Sequence, residues 1–267
     1  MNPLTKAVQL AKQEQLQKGG VARRNALVPG KIIYSQTRTV TLYPGWLKQN
    51  RILTGEASDE AAKAYKVLRT QVSQRMRQQG WKTLGITSPG HGEGATLTAI
   101  NLSISLALEP HHTILLVDAD LRHPSIHTYL GIDVELGLRE HLLDGMAIEQ
   151  MLVHPEHMQR LVLLPGSKPV SSSSEMLSSL DMLELVQQLK KRYPSRLVIF
   201  NLPPVLESDD VLAFAPYLDA MLLVVEEGKT QREQLARAAE LLQATNQNLI
   251  GTVLNKSAEQ NSMHGSY

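Results

Sequence analysis

Short apolar runs alternate with helical patterns along most of this chain, and this alternation is the feature that most constrains its fold. Helical periodicity separates successive runs. Strands that alternate with helices predict a mostly parallel sheet covered by helices on both faces, a three-layer α/β fold. The runs are four to six residues long and lie at 84–87, 113–118, 161–164, 197–201, 220–225 and 249–254.

A glycine-rich turn follows the first of these predicted strands. Residues 87–96 are Thr-Ser-Pro-Gly-His-Gly-Glu-Gly-Ala-Thr, and a helical pattern begins at their end. Backbone N–H groups at a helix N-terminus attract anions, and the helix dipole adds to this attraction. In sheets of this kind, ligands bind at the carboxyl ends of the strands. The turn is therefore a candidate phosphate cradle, although glycines in this pattern are equally typical of a tight connection.

Polar residues at the ends of two further strands strengthen the case for a phosphate site. Asp118 and Asp120 end the second strand, two residues apart, where carboxylates can hold hydrated Mg²⁺ and orient a nucleophile. Asn201 ends the strand 197–201, at a position where P-loop proteins usually place another acid. Three such strand ends in this order predict a P-loop NTPase fold.

Composition limits the class of protein. The chain has 267 residues, of which 42% are hydrophobic and 20% charged, so it can bury one large core. With no cysteine it has neither disulfides nor a thiolate metal site. No apolar stretch approaches the roughly 20 residues of a membrane span, and no signal peptide is evident. These observations predict a soluble, cytoplasmic protein.

The N-terminal region is distinctly basic. Residues 1–51 contain nine Lys or Arg and the single acid Glu14, although the whole chain carries a net charge of only +1. A short amphipathic helix is predicted at 2–18, followed by an arm with one β-like run at 38–42. Such a segment is compatible with contact to anionic lipid, nucleic acid or an acidic partner, and equally with a solvated tail.

The same patterns predict three regions. Residues 1–55 form the basic helix and a flexible arm. Residues 56–256 form the P-loop domain, which opens with a long amphipathic helix over 56–79. Residues 257–267 form a disordered tail. Glu207, Asp209 and Asp210 are interpreted as the capped, acidic start of a helix rather than as catalytic residues.

Five segments together resemble the bacterial tyrosine kinases, the autokinases of capsule and exopolysaccharide biosynthesis, within the MinD/ParA-type P-loop ATPases. They are residues 88–102, 118–124, 197–204, 224–228 and 251–256. The resemblance covers about residues 56–256. It implies a protein-tyrosine kinase or ATPase that uses ATP with Mg²⁺ and yields ADP.

The resemblance also implies site residues. Thr96 and Asp118 would bind Mg²⁺, Asp118 and Asp120 would act as catalytic base or metal orienter, and Asn255 would lie near the adenine. The implied nucleotide-binding set is Gly90, Gly92, Glu93, Gly94, Ala95, Thr96, Leu97, Asn201 and Asn255.

The chain departs from the family pattern at several positions. Ala95 stands where a P-loop normally has lysine, and Asn201 stands where it has aspartate. His91 is interpreted as a surface loop residue; the alternative, that it replaces the missing lysine, is disfavoured because histidine is mostly neutral at pH 7. The ring-forming helix motif becomes Lys63, Lys66 and Arg69, and the tyrosine-rich tail is reduced to Tyr267.

These departures favour a catalytically weakened or inactive regulator of polysaccharide export, a pseudokinase. The alternative is an active Mg-ATP-dependent tyrosine autokinase or slow ATPase of the same pathway. A partition-type ATPase on DNA is disfavoured because the P-loop region lacks a basic stripe, so no nucleic-acid partner is expected. The resemblance implies as partners the cytoplasmic segment of a membrane chain-length determinant, a polysaccharide co-polymerase, and a homo- or hetero-oligomer with an active paralogue. It implies a cytoplasmic location, peripheral to the inner membrane.

Overall fold

The structure is a computed structural model that describes residues 37–53, 60–192, 195–245 and 248–257. The predicted helix at 2–18, the rest of residues 1–36 and the tail from 258, including Tyr267, lie outside the described residues. So do residues 54–59, where the helix predicted over 56–79 was expected to begin. The predictions for these segments stay predictions.

Within the described residues, one eight-stranded sheet forms the centre of the protein, in the order β1-β4-β5-β3-β6-β2-β7-β8. Six strands from β5 to β8 in this order run parallel, whereas β4 is antiparallel to β5 and parallel to β1. Each of the six strands predicted from the sequence is present within one residue of its predicted bounds. The strands are β1 (Arg38–Val40), β2 (Thr83–Thr87), β3 (Thr113–Asp118), β4 (Val153–Pro155), β5 (Leu161–Leu164), β6 (Arg196–Asn201), β7 (Ala220–Glu226) and β8 (Asn248–Asn255).

Helices connect these strands, and two short 3₁₀ turns lie at Ile148–Gln150 and Ala215–Tyr217. The α-helices are α1 (Pro44–Gln49), α2 (Glu60–Gln79), α3 (Ala95–Ala107), α4 (Ile126–Leu130), α5 (Leu138–Asp144), α6 (Ser173–Leu177), α7 (Leu180–Arg192), α8 (Asp210–Phe214) and α9 (Arg232–Ala244). Among the described residues, no helix combines the length and apolarity needed to cross a bilayer.

The sheet separates two hydrophobic clusters, because successive side chains of a strand point to opposite faces. In β3, Leu115 and Val117 join a cluster with residues of α7 and α9, while Ile114 and Leu116 join a second cluster with residues of α2 and α3. All four side chains are fully buried. The expected three-layer α/β fold with helices on both faces is therefore confirmed.

The segment 37–53 corrects part of the domain prediction, which assigned it to a flexible arm. β1 pairs with β4 at the sheet edge, and Leu42, Leu47 and Ile52 are buried in the second cluster. The Pro44-Gly45 pair begins α1. Proline is favoured at a helix start because its fixed φ suits the first turn and the N–H it lacks would have no partner there.

Candidate functional site

Because the strands are parallel and in register, their carboxyl ends lie side by side along one side of the sheet. Asn201 at the end of β6 lies opposite Asp118 at the end of β3 on one side and opposite Ile86 of β2 on the other. The segment after β6 also bonds to the start of the glycine-rich turn: Thr87 Oγ1 donates to the carbonyl of Pro203 at 2.6 Å. Both acidic and amide side chains are thereby placed beside that turn.

The glycine-rich turn has the backbone of an anion cradle. Gly92 and Gly94 have φ of +75° and +99°, the left-handed region that other residues adopt at a cost. α3 begins directly afterwards, and no side chain among the described residues caps its N-terminus or places an acid in its first turn. The N–H groups of this turn therefore face a position where an anion is favoured.

The first turn of α3 carries three of the predicted nucleotide-binding residues. Ala95 is buried, and Thr96 and Leu97 are half-buried. A methyl group at residue 95 offers neither a charge nor a hydrogen-bond donor. The loop therefore attracts an anion through its backbone, without the lysine that usually accompanies it.

Asp118 is completely buried and held by three donors. Its Oδ2 accepts from the N–H groups of Ser125 at 2.8 Å and Ile126 at 2.9 Å. Its Oδ1 accepts from Nδ2 of Asn201 at 2.9 Å. Burial raises the pKa of Asp118 to about 7, against the opposing effect of these hydrogen bonds. This carboxyl group is consequently a fixed part of the sheet edge.

Asp120 is the more accessible of the two acids, at 6% exposure against none for Asp118. Its Oδ1 accepts from the N–H of His123 at 3.0 Å. Burial raises its pKa, partly offset by that hydrogen bond. The ring of His123 meets the ring of His91 edge to face at 5.3 Å between centroids. Asp120 is thus linked to the opening of the glycine-rich turn.

Two buried acceptor atoms at this edge bond to no described residue. They are Oδ1 of Asn201 and Oε2 of Glu93. Buried polar atoms are normally paired, so these oxygens fit a donor such as metal-bound water. No group of three or more His, Asp or Glu among the described residues forms a ready-made metal site. The two unpaired oxygens suit Mg²⁺, which keeps several waters and takes further ligands from phosphate oxygens.

Asn255, expected near an adenine, contacts the glycine-rich turn directly. Its Nδ2 donates to the main-chain carbonyl of Glu93 at 2.8 Å. A Cβ placed on Gly94 would lie only 2.0 Å from that nitrogen. The close fit of β8 against the turn therefore requires glycine at position 94.

The sequence did not single out two lysines that lie on the same turn. Lys229, after β7, donates from Nζ to the carbonyl of His91. Lys256, after β8, donates to the carbonyl of Gly92 at 2.9 Å and pairs with Glu226 at 2.8 Å. The only sequence signal is that each lysine lies just beyond the end of a core strand.

The acidic residues after β6 match the predicted helix start in part: α8 begins at Asp210, which is the acid of its first turn. Asp209 does precede α8, but its side chain makes no cap hydrogen bond. Asp210 is buried in a bidentate pair with Arg122, with contacts of 2.8 to 3.1 Å. Glu207 accepts from the N–H of His91 at 2.7 Å and pairs with its ring at 2.8 Å. Asp209 accepts from the hydroxyl of Ser174 at 2.8 Å and lies 3.7 Å from the guanidinium of Arg122. The three neighbouring acids are therefore fixed by contacts with residues distant in the chain.

This fold, with a glycine-rich cradle after β2 and acids after β3, defines a protein of the P-loop NTPase class. No protein-family model matches the chain. It is, however, 32% identical over 222 residues to the tyrosine-protein kinase YwqD of Bacillus subtilis strain 168, an alignment that covers 83% of this chain and 92% of YwqD. The chain therefore belongs to the bacterial tyrosine kinases.

Longer relatives match over part of their length. Identity is 27% over 205 residues with the tyrosine-protein kinase Ptk of Acinetobacter johnsonii, covering 76% of this chain and 27% of Ptk. It is 26% over 211 residues with the succinoglycan biosynthesis transport protein ExoP of Rhizobium meliloti strain 1021, covering 78% of this chain and 26% of ExoP. The chain thus spans about a quarter of these two proteins.

Solved structures agree with the fold. The kinase domain of VpsO superposes with a TM-score of 0.66 at 27% identity, over 74% of this chain and 96% of that domain. The kinase domain of Escherichia coli ETK gives a TM-score of 0.69 at 23% identity, over 96% of this chain and 98% of that domain. MinD of Pyrococcus horikoshii OT3, solved with Mg-ADP, gives a TM-score of 0.54 at 20% identity, over 65% of this chain and 69% of MinD. The last two likenesses concern the fold alone.

Proposed function

We propose that this chain binds ADP or ATP with Mg²⁺ at the turn 90–97 and regulates capsule or exopolysaccharide biosynthesis and export, with weakened or absent phosphoryl transfer. Membership of the tyrosine kinase family supports the nucleotide. The name of one relative, the succinoglycan biosynthesis transport protein, supports the pathway.

The observation that carries the proposal is a formed anion cradle without its lysine. Gly92 and Gly94 hold the backbone in the conformation of a phosphate loop, and α3 starts without a side-chain cap. Backbone N–H groups bind ground-state phosphates, whereas the lysine charge is needed most as charge develops during transfer. Ala95 therefore weakens catalysis more than binding.

The acidic residues of the site also support weakened phosphoryl transfer. Mg²⁺, when bound, would neutralise phosphate charge, and Thr96, Asp118 and the amide of Asn201 are the groups placed to hold it. Asn201 removes one negative charge from this set, and Asp118 already accepts three hydrogen bonds from within the chain. Asp120 is then the acid best placed to accept a proton, since its carboxyl group is more accessible than that of Asp118.

The regulatory role requires partners outside the chain. We propose a cytoplasmic protein held at the inner membrane through the cytoplasmic segment of a chain-length determinant, in a homo- or hetero-oligomer with an active paralogue. Lys63 and Lys66 on α2 are exposed, so this face is open to such contacts. Arg69, by contrast, pairs with Glu109 of the same chain at 3.3 Å.

Calorimetric titration with Mg·ADP and Mg·ATP tests the nucleotide site. The native chain is expected to bind both, and the Ala95→Lys/Asn201→Asp variant to bind more tightly. Ala236→Lys places a lysine at an exposed position of α9 instead of the turn and is the control for the Ala95→Lys substitution. Absence of binding by the native chain would contradict a nucleotide-dependent regulator.

A kinase assay separates regulation from catalysis. Incubation of the native chain with Mg·ATP is expected to yield little phosphotyrosine and little released phosphate, and the double variant more of either. Robust phosphotyrosine from the native chain, lost in Asp120→Asn, would instead establish an active autokinase.

A further inference from the structure

Two lysine ammonium groups contact the first part of the glycine-rich turn from the side of β7 and β8. Lys229 donates to the carbonyl of His91, and Lys256 donates to the carbonyl of the next residue, Gly92. They are 138 and 164 residues away in sequence from the residues they contact. The fold therefore delivers to this loop the kind of charge that the loop itself lacks at Ala95.

The charge of this cluster is unbalanced. Glu226 lies 2.8 Å from the ammonium of Lys256 but 3.7 Å from that of Lys229. The hydrogen bond from Lys256 is the main cause that lowers the pKa of Glu226, so this carboxylate is ionised at neutral pH. Two ammonium groups and one carboxylate leave one net positive charge. Since Lys256 is the closer partner of Glu226, that charge resides mainly on Lys229.

Lys229 is positioned and exposed enough to meet a ligand. Its Nζ would lie 3.2 Å from a Cβ placed on Gly92, so the ammonium sits against the backbone of the cradle. Its side chain is 48% exposed, whereas that of Glu226 is 17% exposed. An ammonium carries three donors, and the bond to His91 uses one of them. A second donor faces Glu226, which leaves one donor for a phosphate oxygen.

We propose that Lys229 replaces the missing P-loop lysine by binding the phosphates of the nucleotide, and that Lys256 positions the loop for it. This inference rests on the proposed nucleotide site. The group that Lys229 would recognise is the diphosphate of ADP. The affinity for that diphosphate is then predicted to depend on Lys229, a residue after β7.

Calorimetry with Mg·ADP tests the assignment through binding alone. Lys229→Met is expected to weaken ADP binding roughly ten- to hundredfold, the effect of losing a charge-assisted hydrogen bond. Lys256→Met is expected to have the smaller effect. Lys191→Met removes an exposed charge at the end of α7, in the segment that leads into the start of β6, and is expected to change nothing.

A rescue experiment distinguishes phosphate binding from a structural clamp. If Lys229 supplies the missing charge, Ala95→Lys in the Lys229→Met background restores the affinity for ADP. A clamp that only shapes the loop would not be replaced by a lysine on a different element. Thermal unfolding of each variant verifies that the chain remains folded.

The outcomes separate this inference from the proposed function. If the native chain binds ADP and Lys229→Met binds equally well, or if Ala95→Lys does not rescue the variant, Lys229 does not bind phosphate and the nucleotide site stands. If the native chain does not bind ADP but the single variant Ala95→Lys does, the proposed function and the role of Lys229 are both wrong. No group of the native chain then replaces the lysine.

Discussion

The side-chain amide of Asn201 donates a 2.9 Å hydrogen bond to Oδ1 of Asp118, across the ends of two neighbouring strands. Both residues are fully buried. An aspartate at position 201 would place two carboxylates in this contact. The amide thus stabilises in the free protein an arrangement that two acids would achieve only with a proton or a cation between them.

Asn201→Asp is accordingly expected to destabilise the free protein. Loss of the donor and repulsion between two buried carboxylates should lower the free energy of unfolding by about 1–3 kcal/mol at pH 8. The loss should shrink at pH 5, where a shared proton restores the contact. Urea unfolding at the two pH values measures both effects.

The swapped variant Asp118→Asn/Asn201→Asp is the matched control for that prediction. The amide at position 118 can accept from the N–H groups of Ser125 and Ile126 and donate to the carboxylate at 201. Most of the lost stability should return. If the swap is as unstable as Asn201→Asp alone, the hydrogen bond between these side chains is not the source of the effect.

Gly94→Ala is expected to lower the free energy of unfolding more than the same substitution at a glycine with free space around it. The new Cβ would be strained at φ +99° and would meet Nδ2 of Asn255 at 2.0 Å. Gly80→Ala is the control, since its φ is +69° and nothing lies within 4 Å of its Cβ. Backbone strain alone amounts to about 1–2 kcal/mol. Urea unfolding should show a larger loss for Gly94→Ala, and Asn255→Ala in the same chain should reduce the difference.

Glu207→Gln should strengthen the binding of ADP. The carboxylate of Glu207 contacts the N–H and the ring of His91, beside the cradle, and its charge repels phosphate. A glutamine keeps an acceptor for the N–H without the charge. Two unit charges near 4 Å interact by about 1 kcal/mol in water, or roughly fivefold in affinity. Calorimetry should detect this gain, with the exposed Glu184→Gln on α7 as control; unchanged or weaker binding contradicts the repulsion.

Protonation of Asp219 should make the protein less stable in acid. Burial raises its pKa, but hydrogen bonds from Lys190 and from the N–H groups of Lys82 and Thr83 more than offset burial and lower the pKa overall. Because the folded state favours the charged form, this contribution is present above about pH 4 and is lost as the pH falls through the lowered pKa.

Asp219→Asn should therefore be less stable than the native chain by about 1.5–3 kcal/mol at pH 7. The difference should shrink as the pH falls through the lowered pKa of Asp219, because the carboxyl group then becomes protonated in the folded as well as the unfolded state. Chemical unfolding across this pH range measures it, and the exposed Asp144→Asn at the end of α5 is the control. A difference that is constant with pH would show that packing, rather than charge, is responsible.

Much of the fold could be predicted from local pattern. A buried parallel strand is a continuous apolar run, so β3 and β5 match their predicted bounds. The glycine-rich turn and Asp118 were identifiable because both directly follow such runs. β4 was not predicted, because a three-residue strand at the edge has too little pattern. The segment 37–53 was misassigned because its pairing partner lies more than 100 residues away.

The sequence by itself determined the three-layer fold, the cradle after β2 and the loss of charge at Ala95 and Asn201, since each depends on residue type and on position relative to one strand. Only the tertiary structure decided that Asn201 bonds to Asp118, that Glu207 holds His91, and that Lys229 reaches the turn. These contacts join residues distant in the chain, and their partners follow from strand order and register, which local periodicity does not encode.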